Sequence, residues 1–98
     1  MRPRSANEWR AFWREGGERE LRDVLGDAWP PLRDADDGER SWHATRIATL
    51  LVSSAPLRAL TGELGRIRAH ELGLGPDTDT DRRAAEEIQR WFERRASA

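Results

Sequence analysis

Glycine and proline interrupt this chain at four places: Gly16-Gly17, Pro30-Pro31, Ser53-Ser54-Ala55-Pro56 and Gly73-Leu74-Gly75-Pro76. Between these breaks the apolar residues recur at intervals of three and four, the spacing of one helix face, and no run alternates as a half-buried strand does. This punctuation constrains the fold more than any other feature. It predicts short amphipathic helices that must bury their stripes against one another, and so an all-α, compact bundle of four to five short helices in one domain over residues 1–98.

Ser5-Ala6-Asn7-Glu8 matches a capping box, which starts a helix over 6–15 with Trp9, Phe12 and Trp13 on one face. Two glycines inside a helix are unfavourable by about 1 kcal/mol each, so Gly16-Gly17 predicts a kink or short turn, or else one bent helix. A second helix over 18–28 carries Leu21, Val24 and Leu25. It ends by Ala28, because Pro30 drives Trp29 out of the helical region and Pro31 does the same to Pro30. Asp36 or Asp37 can cap a third helix over 39–53, with Ala44, Ile47, Ala48 and Leu51 inward. Ser54 can cap a fourth over 55–72, with Pro56 in its first turn and Leu57, Leu60, Leu64 and Ile67 along its apolar edge. Gly62, Gly65 and Ala69 form a smooth second side on that helix, suited to close approach by a neighbouring helix or a partner. Thr78 or Asp79 can cap the last helix, 79–95, which presents Ala84, Ala85, Ile88, Trp91 and Phe92 on one side.

Composition excludes several classes of function. The 17 basic and 18 acidic residues nearly cancel, so the basic face that marks nucleic-acid binders is not expected. Every basic residue is Arg, a bias that reads as codon usage in a GC-rich genome. The absence of cysteine removes disulfides, thiolate zinc sites and cysteine nucleophiles. The longest apolar stretch, near Ile47 to Ala55, is far shorter than the ~20 residues that span a bilayer. The N-terminal segment from Met1 lacks the apolar core of a signal peptide. A soluble, cytoplasmic protein without membrane contact is expected.

The candidate chemical motifs are incomplete. Asp77, Asp79 and Asp81 occupy the first three ligand spacings of a calcium loop, but Arg82 stands where the loop needs Gly and Ile88 where it needs Glu. Helix capping is the expected role, and no metal or other cofactor is expected. His43 and His70 fall on different helices, and neither has a second His or Cys four residues on. His43, beside Trp42, could pair with Asp34, Asp36 or Asp37 as a carboxylate–imidazole site of a small ligand-binding protein or enzyme. The junction at Ser53 to Pro56 has the outline of a helix-turn-helix, but the following helix mixes Arg58, Arg66 and Arg68 with Glu63 and Glu71, and DNA binding is not expected.

Five tryptophans in 98 residues leave a choice between core and interface. Trp and Arg are the residues most enriched at interface centres. Trp9, Trp13, Trp91 and Phe92 fit the apolar faces of their helices and are expected to be structural. Trp29 and Trp42, with Asp34 and Asp36 between them, are candidates for protein binding. For Trp29 the corner at Pro31 gives a structural alternative, a ring folded back over the helix it ends.

The order of landmarks, Trp29-Pro30-Pro31-Leu32 after a leucine-rich helix, then Glu71-Leu72-Gly73-Leu74-Gly75-Pro76, then Ile88-Gln89-Arg90-Trp91-Phe92, resembles a family of small bacterial helical proteins of unknown function. Their signature is Trp-Asp-Pro-Ile, often followed by Gly. The resemblance covers residues 18 to 95, with Pro30 where the family has Asp and Arg33 where it often has Gly. It implies an all-α fold, a Trp packed against the bundle and a proline that turns the chain. It implies no activity. The function expected from the residues is a non-enzymatic protein–protein interaction module, in one form immunity- or antitoxin-like, with another protein as partner.

Overall fold

The computed structural model describes residues 5–96 and is all-helical, with no strand among those residues. Helix α1 (Ala6–Phe12) passes through a single π turn (Trp13–Gly17) into α2 (Glu18–Ala28). A 3-10 turn (Pro30–Leu32) leads to α3 (Asp37–Val52), and α4 (Leu57–Arg66) is prolonged by a second π turn (Ile67–Glu71) before α5 (Thr78–Ala96). Helix α5 packs chiefly on α4 and α2, and α2 also packs on α3, so α2 and α5 form the centre of the bundle. Residues 1–4 of the N-terminal segment lie outside the described residues.

The breaks act as the residue types require, with several shifts in detail. Gly16 takes φ 136°, ψ −10°, a conformation open to glycine and strained for other residues, so the axis bends there between α1 and α2. Gly17 is helical but lies under Phe12, and a Cβ on it would stand 2.4 Å from Phe12 Cε2. Asp36 caps α3 by accepting from the Glu39 N–H at 2.8 Å, so the helix begins at Asp37 rather than at residue 39. Ser54 does not cap α4. It takes φ 58° and its N–H donates to the Leu51 carbonyl, closing α3, while extended Pro56 holds the cap position and α4 begins at Leu57. The cap of α5 is Asp77, one residue before the expected Thr78 or Asp79; its Oδ1 accepts from the Thr80 N–H at 3.1 Å. The hydrogen bonds from Thr80 hold the Asp77 carboxyl below its ordinary pKa.

One hydrophobic cluster joins Leu21 and Leu25 of α2, Ile47 and Leu51 of α3, Leu60 and Leu64 of α4, and Ile88 and Trp91 of α5. Phe12 is buried beneath α1, and Trp9 and Phe92 pack against the cluster with ring centroids 5.4 Å apart. Trp91 Nε1 donates to Glu20 Oε1 at 3.1 Å, and Arg95 Nη2 to Glu20 Oε2 at 3.1 Å, which ties α5 to α2. The smooth side of α4 is only partly used. Gly62 and Ala69 face outward, whereas Gly65 lies beside Asp81, whose Oδ2 would be 3.6 Å from a Cβ there.

The corner after α2 contains a buried polar node. Trp29 leaves the helix at φ −119°, ψ 100°, and its ring is 0% exposed. Its Nε1 donates to Asp81 Oδ1 at 2.8 Å, and the same oxygen accepts from Arg68 Nη2 at 2.8 Å and Nε at 3.1 Å. The Arg68 guanidinium also lies 5.8 Å from the Trp29 ring centroid, within cation–π range. Each member satisfies the others where water is excluded, and the corner is thereby fastened to both the π turn after α4 and the first turn of α5.

Candidate interaction surface

The kink at Gly16 determines where α1 lies. Helix α2 runs antiparallel to α3: Glu18 accepts from Ser41 Oγ at 2.5 Å, and Arg22 Nη1 lies 3.8 Å from Asp37 Oδ2. Helix α1, on the other side of the kink, lies against the later part of α3, from Thr45 to Ser53. The two enclose an open groove of about 890 Å³.

One wall is made by Trp9 of α1 and Trp13 of the π turn, stacked at 5.9 Å, with Arg10 and Arg14 beside them. Its α3 wall is made by Thr45, Ala48, Thr49 and Val52. The Thr45 and Thr49 hydroxyls donate to the carbonyls of Ser41 and Thr45 at 3.0 and 3.1 Å. Their hydrogens are thus satisfied within the helix, and the α3 wall is less polar than its composition suggests. Among the described residues no carboxylate lines the groove, although the chain carries more acidic than basic residues. Arg14 makes no ion pair among the described residues, and Arg10 makes only a 3.4 Å hydrogen bond to Asn7 Oδ1.

Trp42 extends this surface. It precedes Thr45 by three residues, with Thr49 and Val52 following at helical spacing, so all four share one stripe of α3. Trp42 is 64% exposed and Val52 41%. Neither belongs to the core or to the residues packed against it.

The candidate binding residues therefore separate. Trp29 is buried in the polar node and Trp42 is open to solvent. Asp34 is exposed, and Asp36 is engaged at the α3 N-terminus. The residues expected to be structural divide in a similar way: Trp91 is buried, Pro31 and Phe92 are half-buried, and Trp9 and Trp13 have one side on the aromatic cluster and another on the groove.

The proposed pairing of His43 with an aspartate is not formed among the described residues. Asp37 is directed to Arg40 at 3.2 Å and to Arg22, while His43 turns into the core at 3% exposure with its Nδ1 unpartnered. Burial lowers the His43 pKa. Glu39 and Glu71 oppose that shift, and Arg46 and Arg66 add to it. Above it Arg66 holds Glu63 at 2.6 Å and Glu71 at 3.4 Å, and the Arg66 hydrogen bonds keep the Glu63 carboxyl below its ordinary pKa.

No group of three or more His, Asp or Glu that could hold a metal occurs among the described residues. The three aspartates of the calcium-like run take separate directions: Asp77 to the α5 cap, Asp79 to Arg82, and Asp81 inward to Arg68 and Trp29. No described helix is long and apolar enough to cross a membrane.

Two features were not anticipated from the sequence. The node could have been found from Asp81, which stands three, four and seven residues before Ala84, Ala85 and Ile88 and so continues their apolar stripe. The groove had no comparable signal, because it depends on the angle between α1 and α2 across Gly16. Compared with known proteins, the chain matches no family model, no curated protein and no solved structure. The likeness to the Trp-Asp-Pro-Ile proteins thus rests on its residues alone.

Proposed function

We propose that the chain is a non-enzymatic protein–protein interaction module, and that it binds through the α1–α3 groove and the adjoining stripe of α3 that ends at Trp42. The observation that carries this reading is Trp42, 64% exposed at the end of an open groove with tryptophans along one wall. Burying the open part of an indole against a partner is worth roughly 2–4 kcal/mol, and buried Trp is the commonest kind of interface hot spot. The basic rim without carboxylates favours an acidic partner surface. In the immunity- or antitoxin-like form of this reading, the groove holds the cognate protein.

The test is a photo-activated cross-linker placed at Thr49 in the expressing cell, with a control at Asp23 on the exposed side of α2. A discrete cross-linked protein product from Thr49, lost with Trp42→Ala and absent from Asp23, supports the proposal. No product from Thr49 overturns it.

A further inference from the structure

Resting on that reading of the groove, we infer that its occupant is a second copy of this chain, paired antiparallel along α3 so that each Trp42 enters the other copy's groove. The α3 stripe is self-complementary. Trp42 projects at one end, and at the other, about 15 Å further along the helix, the groove opens beside Val52 and Ser53. A two-fold axis between them places each indole over its partner's Val52 and Ser53. This is the isologous arrangement in which one patch serves both subunits.

Charge follows the same symmetry. At the N-terminal end of α3, Asp36 caps the helix and Asp37 is paired with Arg40 and Arg22, while exposed Glu39 shares the face of Trp42 three residues on. The Glu39 carboxylate has no hydrogen bond or ion pair among the described residues. The C-terminal end of α3 lies beside the basic rim. Arg14 also borders the start of α2, which lies beside Ser41, whereas Arg10 does not, so Arg10 falls nearer the C-terminal end of α3. Antiparallel pairing therefore brings each acidic end toward the other copy's Arg10, whereas parallel pairing sets like charges together at both ends.

The available face is modest. Sixteen residues of α3 span about 24 Å and two helices side by side about 20 Å, which is in the range of small, transient interfaces rather than obligate dimers. The association is expected at micromolar concentration.

Sedimentation velocity of the full chain from about 1 to about 500 μM at low salt tests this directly. A reversible monomer–dimer equilibrium is expected, weakened about tenfold or more by Trp42→Ala, with unchanged circular dichroism showing that the variant is folded. Glu39→Arg alone and Arg10→Glu alone should each weaken the dimer, since both place like charges at the two ends. Mixing the two variants should restore it, because the mixed pair has opposite charges at both ends. A monomer throughout the range, a dimer indifferent to Trp42→Ala, or a mixture no tighter than either variant overturns the proposal. The cross-link from Thr49 separates the two readings: a product of twice the chain's mass supports both, a product with a different protein overturns self-pairing alone, and no product overturns both.

Discussion

Trp29 and Trp42 stand on either side of the same acidic loop and differ in every physical respect. Trp29 is 0% exposed, with its N–H on a buried carboxylate; Trp42 is 64% exposed, with its ring in solvent. The difference lies in what the chain can do at each point. At Trp29 the following proline ends the helix and swings the residue inward, where Asp81 accepts from its indole N–H and Arg68 donates to the same carboxylate. At Trp42 the helix continues, and His43, Ala44, Ile47, Ala48 and Leu51 already fill its inward face. One tryptophan is where a corner holds it; the other is left over from a packed face. The first is part of the core and the second lies outside it, exposed.

The sharpest way to break this contrast is to empty the node. Trp29→Ala should destabilise the chain by about 3–5 kcal/mol, the range for removing a large buried aromatic, which is a large part of the ~5–15 kcal/mol that holds a typical domain. Asp81→Leu should cost a similar amount, because it leaves the Arg68 cation buried without its partner. Urea denaturation measures both. Replacing the pair together, Asp81→Leu with Arg68→Met, should be less damaging than Asp81→Leu alone, since no charge is then stranded. A double variant as unstable as the sum of its parts would mean that the node contributes packing rather than electrostatic satisfaction.

A smaller effect is expected in the loop that joins the two tryptophans. Asp36→Ala should cost about 1 kcal/mol, because its Oδ1 holds the Glu39 N–H at the start of α3. Asp34→Arg should change stability by less than about 0.5 kcal/mol, since Asp34 is exposed and no hydrogen bond or ion pair engages it among the described residues. Thermal melts of the two variants separate a cap from a solvated neighbour two residues away.

His43 adds a pH dependence confined to one window. Burial lowers its folded-state pKa below the ordinary 6.5, with Arg46 and Arg66 adding to the shift and Glu39 and Glu71 opposing it. Below pH 6.5 the unfolded chain therefore binds more protons at this residue than the folded chain does, so this contribution to stability falls as pH drops from 7 toward the folded pKa. His43→Leu should flatten that slope in urea titrations at pH 7, 6 and 5. The carboxyls of Glu63 and Asp77, held low by Arg66 and Thr80, contribute their losses only below their ordinary values of 4.5 and 3.8, which keeps the effects apart.

Local chemistry made most of the fold legible. The second helix, 18–28, has the bounds the sequence predicts, because proline at 30 and glycine at 16 and 17 leave the backbone few alternatives. Caps were less legible. Asp36, Asp37, Asp77, Thr78 and Asp79 are all competent, and which oxygen meets a free N–H depends on angles that residue type does not specify. The tertiary relations were the least legible. Residue type marks neither Ser54 as the left-handed end of α3 nor Asp81 as the partner of a tryptophan 52 positions away. The groove depends on where α1 lies relative to α3, an angle set across Gly16 rather than by the residues in its walls.

The smallest expected effect on stability is the most informative about function. Trp42→Ala should leave the unfolding free energy within about 0.5 kcal/mol of the parent, because the ring lies outside the core and the helix loses no cap, hydrogen bond or ion pair with it. Alanine has the higher helix propensity, so a slight gain would be in keeping. The measurement belongs at a concentration low enough to keep the chain monomeric, and then again at high concentration. If Trp42 is buried against a second chain, the parent should gain stability with concentration and the variant should not, since a partner that binds only the folded state raises its apparent stability. A loss of several kcal/mol at low concentration would instead place Trp42 with Trp29 among the residues that hold the fold, and the contrast between them would fail.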